Sequence, residues 1–151
     1  MMKKILPVLA VVAVAAAVVV ILAFRGGDTL EETISTSLSE GKVEVIYFHL
    51  TRRCVTCQAV ENVSGEAVHE LYPSEIERGL IVFRSLNIED ESSEADAKRV
   101  KATGQCLLVV SGEKRVDLTS EAFMHARNNP EKLKEEIKKA VDPLLKALKE
   151  D

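Results

Sequence analysis

The tetrapeptide Cys54-Val55-Thr56-Cys57 restricts what this chain can fold into more than any other feature, because of what stands on either side of it. Upstream, Val43-Glu44-Val45-Ile46-Tyr47-Phe48-His49-Leu50 is rich in β-branched and aromatic residues and reads as a strand, apolar enough to be covered on both faces. Downstream, from about Cys54 to Leu71, Val60, Val63, Ala67 and Leu71 recur at helical spacing. A strand that turns into a helix at a Cys-x-x-Cys pair sets the first sulfur at the helix N-terminus, among unpaired N–H groups and the positive end of the dipole. Such surroundings favour thiolate, the form that attacks disulfides and binds soft metals. Arg52 and Arg53, immediately before the pair, add positive charge. The pair reads as reactive.

The chain has 151 residues, enough for one domain with accessory segments. Its first 25 residues are unlike the rest. Lys3 and Lys4 precede Ile5 to Phe24, which are 20 residues without a charge, and Arg25 closes the run. As a helix that run is about 30 Å long, the hydrocarbon thickness of a bilayer. Its length and flanks favour an uncleaved anchor over a removed signal peptide, since Leu22-Ala23-Phe24 is a poor cleavage site. Positive charge on the amino side predicts a single-pass membrane protein with a cytoplasmic N-terminus and the domain outside, periplasmic or extracellular. Three of the 20 Lys and Arg lie in residues 1–25, so residues 26–151 carry 17 against 24 Asp and Glu, a net charge of −7. That sign argues against nucleic acid as a partner.

Residues 26–41 mix Gly, Ser, Thr and Glu and read as a linker, with Leu30, Ile34 and Leu38 at four-residue spacing suggesting a short amphipathic helix. A domain over 42–151 follows. After the first helix, which should stop before Pro73, a second strand is expected from Leu80 to about Asn87. Glu89-Asp90-Glu91 should be a solvated turn, and Ser93 with Asp96 a capping pair for a helix ending at Gly104. Leu107–Val110 and Arg115–Leu118 form a hairpin through Ser111-Gly112-Glu113-Lys114. Thr119 and Ser120 offer an N-cap to a helix through Arg127. A longer helix after Pro130 buries Leu133, Ile137, Val141, Leu144 and Leu148, with Pro143 expected to kink or end it. The first two strands, joined through a helix, should be parallel and the last two antiparallel.

This order, with the Cys pair at the first strand-to-helix junction, resembles the thioredoxin fold over residues 42–151. The implied fold class is α/β, a mixed sheet of about four strands flanked by helices, here behind a transmembrane helix. The string Tyr47-Phe48-His49-x-Thr51-Arg52-Arg53-Cys54-x-Thr56-Cys57-x-x-x-Glu61, with Gln105-Cys106-Leu107, resembles a membrane-anchored branch of that superfamily, the nitrophenyl compound nitroreductase subunit family of ArsF type. Nothing resembles a flavin site, and no cofactor is expected. Two departures stand out. The superfamily's usual cis-proline before the third strand is replaced by Gly104-Gln105-Cys106. The buried carboxylate common on its first strand has no counterpart, since Phe48 stands near that place, and another proton acceptor is required.

Cys54 is read as nucleophile and Cys57, one helical turn in, as the resolving thiol. Cys106 is either a small buried hydrophobe or, lying in the loop before the third strand, close enough to react or share a metal. His49 reads as a half-buried histidine at a sheet end, with a proton shuttle or ligand role as the alternative. Glu61 is a surface charge, a proton acceptor or the partner of an arginine. Arg53 either solubilises or acidifies Cys54. Two functions follow. One is a membrane-tethered thiol–disulfide oxidoreductase serving a protein thiol or disulfide partner, with a membrane electron donor as the natural counterpart. The other is a copper(I) or arsenite carrier using Cys54, Cys57 and either Cys106 or His49.

Overall fold

β1 (Val43–His49) carries the architecture, because it is hydrogen-bonded on both sides and its first six residues are buried. A computed structural model of the chain describes residues 41–150. The expected anchor at 1–25 and the linker up to residue 40 lie outside the described residues. Among those that are described, no helix is long and apolar enough to cross a membrane.

The sheet has four strands in the order β2 (Ile81–Asn87), β1, β3 (Cys106–Ser111), β4 (Lys114–Asp117). β1 runs parallel to β2, from Val43 opposite Ile81 to His49 opposite Asn87. It runs antiparallel to β3, with Phe48 opposite Cys106. The parallel pair needs a crossover, supplied by α1 (Val55–Leu71) and α2 (Pro73–Glu77). α1 ends where Pro73 was expected to stop it, but the chain then starts a second helix on that same proline. At the first helical position its missing N–H breaks no bond. Within α1 the expected stripe holds at Val60, Val63 and Ala67, while Leu71 is exposed and Val68 takes its place in the core.

The two-residue period of β1 sorts the core into two layers. Val43, Val45 and Tyr47 pack with Val60, Val63 and Ala67 of α1 and with α5 (Pro130–Glu150). Ile46 and Phe48 pack on the other face with Cys106, Leu108, Val110 and with Ala97 of α3 (Glu94–Arg99). α5 buries Leu133, Ile137, Val141 and Leu144 as the spacing predicts, and runs on through Pro143 to Glu150 rather than ending early. A proline inside a helix costs about 3 kcal/mol. Burial of Leu144 and Leu145 just beyond it contributes roughly 1.5–3 kcal/mol each, which is enough to carry the helix past the break.

α3 departs from expectation at both ends. The Ser93 side chain makes no capping bond, and the helix closes at Val100, with Lys101 at a φ of 55° instead of continuing to Gly104. Asp96 is occupied elsewhere. It receives Arg84 of β2 at 2.5 and 2.8 Å and Arg99 at 3.0 Å. Both arginines also reach Glu44, a carboxylate only 2% exposed, at 3.2–3.3 Å. This four-member network ties α3 to the sheet. The β3–β4 hairpin pairs Ser111 with Lys114, leaving Gly112-Glu113 as the turn, and the 55° φ of Gly112 explains the glycine. The following helix, α4 (Thr119–His125), is shorter than expected and is not capped by Thr119. That hydroxyl instead donates to Asp117 at 2.6 Å and accepts the Leu107 N–H at 3.2 Å.

Hydrogen bonds from Arg84, opposed by burial and helped by Arg99, hold the Asp96 carboxyl below its ordinary range. A depressed folded value stabilises above the unfolded value and is lost as pH falls through the folded one. Asp96→Asn should therefore lower stability by about 1–2 kcal/mol at pH 6, with the gap to wild type closing toward pH 2.5 in urea titrations of the domain. A gap that does not change with pH would contradict this.

Candidate functional site

β1 ends at His49, and the chain must cross from the sheet plane to the start of α1 in five residues. That crossing is pinned to the end of β2. The Thr51 N–H donates to Glu89 at 2.8 Å, the Asn87 side-chain amide donates to the Thr51 hydroxyl at 2.9 Å, and the Ile88 N–H reaches the His49 carbonyl at 2.9 Å. Cys54 then takes an extended backbone (φ −84°, ψ 165°) as the N-cap of α1. Its sulfur accepts the Cys57 N–H at 3.1 Å, the contact that an N-cap serine or aspartate oxygen makes elsewhere.

Cys54 and Cys57 are joined as a disulfide, with Cα atoms 5.0 Å apart. The two sulfurs differ in access: Cys54 is exposed, whereas Cys57 is 5% exposed. Val55, next to Cys54 in the chain, is 67% exposed and leaves apolar surface there. The Cys54 sulfur sits at the helix N-terminus, within hydrogen-bond reach of the Cys57 N–H. Of the two cysteines, Cys54 is thus the accessible one and Cys57 the buried one.

A polar cluster ties the crossing loop to α1 and β2. Arg53 turns inward and grips Glu61 of α1 with both guanidinium nitrogens, one of them at 3.1 Å, and contacts the Ser85 hydroxyl of β2 at 3.4 Å. Both side chains are about three-quarters buried. Of the three readings open for Glu61, the arginine partner is the one found. Burial pushes the Glu61 carboxyl up, but hydrogen bonds from Arg53 and Ser85 and the charges of Arg53 and His49 prevail and hold it below the usual range. Tyr47, opposite Ser85 in the β1–β2 register and fully buried, accepts a hydrogen bond from the Gln105 amide at 2.6 Å. Burial raises its phenol, while the Gln105 bond and the Arg53 charge act the other way. Gln105 thus anchors the loop before β3 to the strand that leads into the Cys pair. Among the described residues there is no cis peptide. His49 is half-buried, its Nδ1 donating to the Leu50 carbonyl at 3.0 Å.

Cys106 is not brought to the pair. It belongs to the opposite layer with Phe48 and Leu108, beside an open cleft lined by Lys101, Thr103, Arg115 and Asp117. Burial, with the Asp117 charge, pushes its thiol up to about 11. Phe48 lies in that same layer, so the strand residue facing α1 is Tyr47. Among the described residues no group of three or more His, Cys, Asp or Glu is placed to hold a metal ion. Tyr47 and Ser85 were missed as site residues; the alternation that buries Val43 and Val45 was the available signal for Tyr47. The chain matches no known family model, and no curated protein matches it.

In the reduced domain at pH 7.5, iodoacetamide should modify Cys54 at least tenfold faster than Cys57 or Cys106, as read by peptide mass spectrometry. Equal rates at the three sulfurs would remove the distinction drawn between them.

Proposed function

We propose that this chain is a thiol–disulfide oxidoreductase of thioredoxin-like architecture, held at the outer side of a membrane by residues 1–25. The observation that carries the reading is the asymmetric pair: an exposed Cys54 sulfur at the N-cap of a long helix, bonded to a buried Cys57 one turn in. The strand order β2-β1-β3-β4 with one antiparallel hairpin is compatible with that architecture.

In the reducing direction the Cys54 thiolate attacks one sulfur of a partner disulfide. A mixed disulfide forms, and the other partner sulfur leaves as thiolate and takes up a proton. Cys57 then loses its proton and attacks the Cys54 sulfur. The internal disulfide closes and the second partner thiol is released. Two electrons have passed to the partner, whose two thiols gain one proton from Cys57 and one from solvent, and the reverse sequence oxidises a partner dithiol. Burial of Cys57 keeps it from competing for the partner, and its N–H contact with Cys54 keeps it in place for the second step.

Cys57→Ser removes the resolving thiol and should trap partners on Cys54 as adducts that dithiothreitol releases. Cys54→Ser should trap none. Absence of adducts from Cys57→Ser, in cells expressing the full chain, would remove the exchange reading. For the anchor, the full chain should stay in the membrane fraction after carbonate washing, and a chain lacking residues 1–25 should not.

A further inference from the structure

We propose that Arg53 and Glu61 form a charge-compensated pair that sets how readily Cys54 ionises, with Glu61, one helical turn beyond Cys57, the positioning residue that holds the guanidinium against α1. The inference rests on Cys54 being the attacking sulfur. Arg53 is the residue next to Cys54, yet its side chain does not extend into solvent. It folds under the loop to Glu61, one helical turn beyond Cys57 on the same face of α1, and to Ser85 of β2. Its charge therefore reaches Cys54 together with an opposite charge of nearly the same position, and the two largely cancel there. What remains is the helix N-terminus and the Cys57 N–H, plus Arg52, which is exposed and screened by solvent.

The pair thus works in two directions. Neutralising Glu61 leaves an uncompensated cation and makes Cys54 more acidic. Neutralising Arg53 leaves an uncompensated anion and makes Cys54 less acidic. The other groups around the pair are His49 and Tyr47 of β1, Glu89 bonded to Thr51, the neutral Gln105 before β3, and Cys106 in the opposite layer. They are common to every variant and drop out of the comparison.

The test is the pH dependence of Cys54 alkylation in the reduced full chain, for Glu61→Gln, Arg53→Gln, the double variant and Arg53→Lys. The midpoint of each profile is the readout, because a more acidic thiolate is also a weaker nucleophile and rates at one pH mislead. Glu61→Gln should raise the Cys54 acid constant roughly three- to tenfold and Arg53→Gln lower it by a similar factor, the range expected for one charge at this separation in a half-buried site. The double variant should return close to wild type. Arg53→Lys, which keeps the charge but not the two-pronged grip, should behave nearly as wild type. Both single changes moving the midpoint the same way, no movement, or Arg53→Lys matching Arg53→Gln would show a merely structural clamp and overturn the proposal. Should Arg53→Gln fail to fold, Glu61→Gln against Arg53→Lys still decides. An ordinary free-thiol midpoint in wild type would instead undo the exchange reading while leaving the order of the variants intact.

Discussion

β1 is covered on both faces and bonded on both edges, so each of its side chains is committed to one layer or the other. Everything at the site follows from that commitment. Tyr47 is set toward α1, Phe48 toward the other layer, and His49 at the end where the chain leaves the sheet. A shift of the pairing by one residue would exchange the two sets, placing a phenylalanine where the buried phenol now meets Gln105. The parallel register with β2 and the antiparallel register with β3 hold against such a shift from both sides.

The polar groups near the pair are arranged so that few of them face a core partner unsatisfied. Arg53, Glu61 and Ser85 bind one another, Tyr47 binds Gln105, and the loop backbone binds Glu89. A three-quarters buried ion pair offers little net stability, because desolvation offsets most of the attraction. Beside its charge, the pair has a geometric role. It links the crossing loop to the second turn of α1 and to β2, so that the Cys54 backbone is held at the angle an N-cap needs. The Glu44–Arg84–Arg99–Asp96 network does the same for α3 on the opposite layer.

Much of this was legible in the residues. The strands of the sheet, the parallel crossover, the hairpin turn and the stripe of α5 all follow from periodicity and turn chemistry, which are local signals. Cys54 as an N-cap was legible for the same reason. The misreadings have a common origin. Ser93, Asp96 and Thr119 looked like caps by spacing, yet Ser93 makes no capping bond, and other partners hold the rest: Arg84 and Arg99 for Asp96, Asp117 and Leu107 for Thr119. Pro143 looked like a terminus, and long-range packing of the leucines beyond it decided otherwise. Cys106 is buried and free, the first of the two readings open for it. Only the strand register, which no single stretch encodes, turns its side chain to the far layer.

That last placement reaches beyond its own layer. A chain with three sulfurs can close three different rings, and an opened Cys54–Cys57 bridge would be exposed to capture by the odd one. Here the strand register sets Cys106 opposite Phe48, in the layer it shares with Leu108 and Val110, where it stays unbridged. Among the described residues the bridge thus has one fixed pairing, and the odd thiol is held in place by the same register that commits β1 to its two layers.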